Sequence, residues 1–270
     1  MRILIVGATG FIGARVAAAL HALGHDVVGC ARRRGEAFAR HREHGWIGAD
    51  FAADLEPRVW RPRLYAIDAV VNCAGVLEES PANTFEAVNA LGPEVLFEAC
   101  ERLGVRRVLH FSALGAAGRG RSRYLAAKCY ADAALESSPL DWTVLAPAPV
   151  VGGDGMLIRA LRGADPAAAY AARVAPVHVD DVVAAVVALL APNAPVRTRL
   201  ALVGPDSTSV GDWLARLRET HAGVRGWPAA TPTDEALALA ACGMTGDPMP
   251  LAALLGRPPR AALGAMGVPA

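Results

Sequence analysis

Short apolar runs alternate with longer stretches of helical spacing over the first two thirds of the chain. Residues 2–6 (RILIV) are an apolar run ending at a glycine, the pattern of a buried strand. Residues 11–24 (FIGARVAAALHALG) carry alanine and leucine at helical spacing and close on Gly24. The alternation then repeats. Strands are expected at 26–30 (DVVGC), 45–49 (GWIGA), 68–74 (DAVVNCA), 106–112 (RRVLHFS) and 141–147 (DWTVLAP), with helices over 83–103 and 122–138. Such spacing implies βαβ units and a parallel sheet covered on both faces. Beyond residue 150 the rhythm loosens. Residues 177–190 predict a helix with Asp180 or Asp181 near its positive end, and 199–204 predict one more strand. Residues 205–270 hold amphipathic pieces between proline- and glycine-rich breaks.

Composition adds limits. The chain has 270 residues, 53% apolar and 20% charged, with a formal net charge of +1. That balance gives no reason to expect nucleic acid or an anionic membrane as partner. Five cysteines at 30, 73, 100, 129 and 242 form no CxxC pair, which fits a reduced compartment and neither a disulfide framework nor a metal knuckle. The N-terminal stretch lacks the apolar region of a signal peptide, and no apolar run reaches the length of a membrane span. A soluble cytoplasmic protein is expected, as a monomer or a homodimer. One count stands out. Of 27 basic residues, 26 are arginine and one, Lys128, is lysine.

The segment GATGFIG places Gly7, Gly10 and Gly13 between the first strand and the first helix. A dinucleotide site needs a tight turn there, a backbone that can approach a pyrophosphate, and helix N–H groups aimed at its charge. A plain tight turn would use the same glycines; their place at the first junction of a βαβ series favours the dinucleotide. An NAD site usually ends its second strand on a carboxylate. This chain has Cys30, Ala31, then Arg32, Arg33 and Arg34. Guanidinium forks suit a 2′-phosphate, so NADP(H) is expected over NAD(H), with Arg32 foremost. The same run also reads as a solvated basic loop.

With these pieces assembled, the chain resembles the extended and atypical branches of the short-chain dehydrogenase/reductase superfamily, akin to NmrA-like proteins and an accessory subunit of complex I. GATGFIG, DAVVNCAG, RRVLHFSALGA, YLAAK (124–128), VLAPAPVVGG and PVHVDDVV occur in family order and, with other pieces, cover about residues 1–215. The resemblance implies a Rossmann-type, doubly wound α/β sheet. It comprises a dinucleotide domain over 1–150, to which 177–204 returns, and a small, mainly helical cap or substrate region over 151–270. It further implies that Gly7, Thr9, Gly10, Phe11, Ile12 and Gly13 hold the pyrophosphate, and that Asp50 and Phe51 lie by the adenine. Cys73, Ala74 and Gly75 would line the ribose side, and Pro147 to Val150 the nicotinamide. Asn89 matches a structural asparagine, and Ser112, Tyr124 and Lys128 match the catalytic trio.

On a helix, positions i and i+4 share a face, so Tyr124 and Lys128 can enter one cleft. A free phenol, with a pKa near 10, is a poor acid or base at neutral pH. An ammonium beside it, with an oxidised nicotinamide, would lower that value. Lysine also has donors for ribose hydroxyls, and Ser112 ends the fifth strand, where open sheets place ligands. The expected activity is an NADP(H)-dependent oxidoreductase in which Tyr124 exchanges the proton and Ser112 orients the substrate oxygen. Val76, Leu77, Leu114 and Met156 would supply apolar walls for a small lipophilic or quinone-like carbonyl or alcohol. Two alternatives stay open: an NADP(H)-binding sensor or assembly protein without turnover, and a nucleotide-sugar epimerase or dehydratase. His41 and His44 read as a solvated helical face, His178 as a packing or hydrogen-bonding residue, and Cys129 as inert. Tryptophans 46, 60, 142, 213 and 227 read as core or interface.

Overall fold

Side chains of a strand alternate between faces, and the first strand shows both faces covered. In the computed structural model, β1 (Arg2–Val6) sends Ile3 and Ile5 into one core and Leu4 and Val6 into another, all fully or almost fully buried. The structure describes residues 1–117, 122–152, 155–161, 172–221 and 234–262.

The chain continues through α1 (Phe11–Ala22), β2 (Asp26–Ala31), α2 (Arg34–Arg40), β3 (Gly45–Gly48), α3 (Pro57–Trp60) and β4 (Ala69–Asn72). A π-helical stretch, Glu86–Leu91, runs into α4 (Gly92–Leu103). Then come β5 (Arg107–Phe111), α5 (Arg123–Glu136) and β6 (Asp141–Pro147). The later part holds β7 (Val150–Val151), α6 (Met156–Leu161), β8 (Arg173–Val174), β9 (Val177–His178), α7 (Val179–Leu189) and β10 (Thr198–Leu202). It ends with β11 (Thr208–Ser209), α8 (Val210–His221), α9 (Asp234–Cys242) and α10 (Met249–Leu255).

Seven strands form one parallel sheet in the order β10-β6-β5-β4-β1-β2-β3. This is the doubly wound Rossmann arrangement, with helices in the C-terminal part. Val16, Ala17 and Leu20 of α1 share one core with Val182, Val186 and Leu189 of α7 and Leu251 of α10. Leu96, Phe97 and Cys100 of α4 share the opposite core with Ala131 and Leu135 of α5 and with Trp60. A third core, under α8 and α9, gathers Trp213, Leu214, Leu217, Leu239 and Met244 around Val151 and Leu125. Strand order reverses between β1 and β4, so the chain leaves their carboxyl ends in opposite directions and opens a crevice there.

The stretch after β2 departs from the sequence pattern. The arginine run opens α2, which the pattern does not predict, and α2 stops at Arg40. His41 is therefore its C-cap and His44 lies in the following turn, so HREH is not a helical face. His44 is buried, its ring 5.2 Å from that of His21. No helix among the described residues is long and apolar enough to cross a membrane, and no group of three metal-ligating side chains occurs among them.

Candidate functional site

The crevice begins with the glycines. Gly7 leaves β1 at φ +80, a conformation that favours glycine, and a Cβ there would stand 2.8 Å from the Ala74 backbone nitrogen. A Cβ on Gly13 would stand 2.2 Å from the Gly7 carbonyl oxygen. Gly10 caps α1 with no side chain, and the first turn of that helix carries no carboxylate. The first N–H groups of α1 are therefore left for an anion, and bare backbone lines its approach. These residues fit a dinucleotide pyrophosphate.

A cavity of about 390 Å³ extends from this loop in both directions. Thr9, Phe11 and Ile12 border it with the glycines, Asp50 and Phe51 at one side, Cys73, Ala74 and Gly75 beyond β4, Pro147 at the end of β6 and Val150 at the start of β7. Arg32 borders it too, donating from Nη1 to Asn83 Oδ1 at 2.8 Å. Arg33 does not. Because α2 starts at Arg34, Arg33 becomes its N-cap, and its exposed side chain pairs with Glu36 at 3.4 Å. Among the apolar walls, Val76 and Leu77 line the cavity, whereas Leu114 packs away from it against Ala148, Ala175 and Val203. The Met156 side chain, Trp227 and residues 118–121 between Ser112 and Tyr124 lie outside the described residues. Gly155, Leu157, Arg159, Leu239 and Met244 supply the C-terminal part's share of the wall.

Helix α5 brings Tyr124 and Lys128 to the cavity. Ser122 starts it, its hydroxyl accepting from the Leu125 N–H, and Glu235 of α9 accepts from the Tyr124 N–H at 2.7 Å. The Tyr124 ring is half-buried, edge-on to Phe85 at 6.0 Å. Burial, with Asp132 and Glu235, pushes its phenol well above the usual range. Lys128 is 3% exposed and donates to the carbonyls of Phe111 at 2.9 Å and Ala74 at 3.5 Å. Burial pulls its ammonium down to about 8, against the opposing pull of Asp132 and Cys73. The expectation that Lys128 lowers the Tyr124 pKa thus needs correction for the free protein. The ammonium is turned onto backbone carbonyls, and desolvation governs the phenol.

Ser112 lines the cavity, but its hydroxyl donates to Asp132 Oδ2 at 2.5 Å. With that proton committed, Ser112 offers lone pairs to the cavity, not a donor for a carbonyl oxygen. Asp132 is a residue that the sequence reading passed over. It repeats the four-residue step from Tyr124 to Lys128 once more, on a face otherwise built from leucine and alanine. That step was the available signal. Arg199 of β10 reaches the same carboxylate at 3.0 Å and Glu136 at 2.8 Å. Behind them Asn72 Nδ2 donates to His110 Nδ1 at 3.0 Å, with the amide oriented by the Ala74 N–H on its oxygen. The wholly buried His110 is held neutral by desolvation, so its Nε2–H faces Asp132 Oδ1 at 3.5 Å.

Asn89, in the π stretch, accepts from Val76 N–H at 2.9 Å and donates to its carbonyl at 2.7 Å. His178 caps α7 by accepting from the Asp180 N–H. Burial pushes the Cys73 thiol up to about 12. It is an apolar wall at neutral pH.

Comparison with known proteins agrees with this construction. Photosystem II assembly factor Ycf39 of Synechocystis sp. is 29% identical over 146 residues, 54% of this chain and 44% of that protein. Sterol demethylase protein B of Methylococcus capsulatus is 32% identical over 121 residues, 44% of this chain and 36% of that protein. The matches therefore span less than half the length of either relative. Among solved structures, a UDP-glucuronic acid 4-epimerase mutant from Bacillus cereus, in complex with a fluorinated UDP-sugar and NAD, superposes with a TM-score of 0.70. It has 18% identity and covers 98% of this chain and 96% of that one. The profile of the NAD dependent epimerase/dehydratase family matches residues 3–140, which include the glycine loop, the serine-ended strand and the Tyr–Lys helix. The chain belongs to the NAD dependent epimerase/dehydratase family.

Proposed function

We propose that the protein binds NADP(H) in this cavity and reduces or oxidises a small, largely apolar carbonyl or alcohol. The observation that carries this reading is the convergence of Tyr124, Lys128 and Ser112 on the same cavity as the glycine loop. Bound nicotinamide would supply or accept the hydride at its C4. Arg32 stands where a 2′-phosphate would meet a forked donor, and its rim position leaves a guanidinium N–H for that purpose. Lys128, released from one of its carbonyls, holds ribose hydroxyls. Tyr124, kept neutral by burial, is in the state to give a proton to a developing alkoxide, which suits the direction of carbonyl reduction. Ser112 accepts a hydrogen bond from a substrate or Tyr124 hydroxyl.

A fluorescence titration with NADPH and NADH tests the cofactor assignment. Tighter NADH binding would remove the role given to Arg32, and binding of neither would remove the reading. Tyr124→Phe tests the chemistry: turnover of an NADPH-coupled carbonyl panel should fall at least about a hundredfold, with NADPH affinity retained.

A second reading has one observation in its favour. With Ser112 committed to Asp132 and the phenol pushed up, the site is arranged to hold a dinucleotide without needing to react. The similarity to an assembly factor points the same way. On that reading Tyr124→Phe changes nothing measurable. A nucleotide-sugar substrate, as in the epimerase, predicts stabilisation by UDP-sugars in a thermal-shift panel.

A further inference from the structure

Ionised or strongly polar groups are rare behind a ligand cavity, because each must be matched once it is out of water. Here α5, β5 with the residue after it, and β10 send such groups to a single place. Asp132 of α5 is the buried carboxylate at the centre. It accepts from Ser112 beyond β5, pairs with Arg199 of β10, and faces His110 of β5. Lys128 sits one helical turn before it on the same buried face. No carboxylate of the described residues forms an ion pair with Lys128, and its nitrogen donates only to neutral carbonyls. The groups that act on the ammonium are Asp132 on its own helix and Cys73 after β4; Tyr124 stands one turn before it and His110 of β5 lies nearby, while Arg199 of β10 meets the same Asp132 carboxylate. Cys73, Tyr124 and His110 are neutral at ordinary pH, and Arg199 is a cation. Asp132 is the remaining acid: burial raises its carboxyl, and the Ser112 hydrogen bond with the Arg199 and Lys128 charges holds it towards the anion.

We propose that Asp132 is a positioning residue of the site: from behind the cavity it accepts the hydrogen bond of the Ser112 hydroxyl and supplies the counter-charge that keeps the Lys128 amine an ammonium. The consequence for the dinucleotide rests on the function proposed above. The charge state of Lys128 does not, and it is measurable on the protein alone. A neutral amine would lose its ability to donate all three N–H bonds and its attraction for an anionic ligand. Asp132 holds the charge without touching the nitrogen, which leaves the ammonium face open to the cavity.

The test uses the fact that the chain has one lysine. Full-length protein grown with lysine carrying carbon-13 at Cε gives a single side-chain resonance, which is followed against pH with no ligand present. Asp132→Asn should lower the midpoint by about one unit or more, a tenfold weaker hold on the proton. Arg199→Gln removes a competing cation and should move it upward. This second variant has the opposite expected sign, so it decides the matter if Asp132→Asn does not fold. A midpoint that stays in place in Asp132→Asn, or an Arg199→Gln midpoint that stays or falls, overturns the proposal. NADPH fluorescence titrations across the same pH range supply the functional arm. Affinity should fall off at a lower pH in Asp132→Asn than in the parent, by the displacement seen in the resonance. A displaced resonance with an unmoved NADPH profile would refute the link to the dinucleotide. Failure of the parent to bind NADPH at any pH would instead refute the proposed function, while the lysine midpoints still decide whether Asp132 is the counter-charge.

Discussion

Replacing Lys128 by methionine should make the protein more stable while removing its grip on the dinucleotide. Burial lowers the Lys128 pKa from 10.5 to about 8, a drop of about 2.5 units. At about 1.36 kcal/mol per unit, holding the ammonium in the folded protein at pH 7 costs about 3 kcal/mol relative to the unfolded chain. Methionine keeps the apolar stem and drops the charge. It also gives up the bonds to the Phe111 and Ala74 carbonyls, which takes back about 1 kcal/mol for the shorter of them. A net gain of about 2 kcal/mol at pH 7 is expected. The pH dependence carries the sharper signature. Between pH 8 and 10.5 the unfolded lysine still binds a proton that the folded one has released, so the parent gains stability as pH rises through that window. The methionine variant lacks that gain, and its advantage should vanish by about pH 10. Urea unfolding at pH 7, 8.5 and 10 measures both quantities. A variant less stable than the parent at pH 7, with the parent's pH slope intact, would refute the reasoning.

Three further substitutions probe other parts of the molecule. Gly13→Ala should improve helix propensity by about 1 kcal/mol, yet its Cβ would meet the Gly7 carbonyl oxygen at 2.2 Å, so a net loss of about 2 kcal/mol and of NADPH binding is expected; a stabilised variant in urea would contradict this. Arg32→Ala should weaken NADPH at least about tenfold and leave NADH nearly unchanged in fluorescence titrations. Asp181, wholly buried, accepts from the Arg257 guanidinium and the Arg260 N–H, both at 2.6 Å. Asp181→Ala should cost about 3 kcal/mol in urea and expose residues 256–262 to limited proteolysis.

The strand–helix order was legible because periodicity is local: RILIV, DVVGC and DWTVLAP each state their burial within a few residues. The glycine loop and the Tyr124–Lys128 pair were legible for the same reason, being set by spacings of three and four. What pattern reading missed depends on contacts distant in sequence. The Ser112 hydroxyl meets Asp132 across 20 residues, and Arg199 joins them only because β10 pairs with β6. Three adjacent arginines look alike in sequence, yet the start of α2 sends Arg32 to the cavity and Arg33 to solvent. In the free protein the Tyr124 phenol is governed by burial, which spacing does not report.

The π-helical stretch at Glu86–Leu91 has a consequence for how this chain can change length. A π turn holds one residue more than an α turn, and here the surplus falls where Asn89 grips both backbone groups of Val76. Directly after it, Gly92 packs where a Cβ would stand 2.7 Å from that of Phe51, a wall of the cavity. Deleting a single residue between Asn89 and Gly92 would restore the regular period and change the rotation between them about the helix axis. Asn89 and Gly92 could then no longer both keep their partners. The surplus residue is in effect a spacer fixed in phase, so chains that lack it should differ at both positions together.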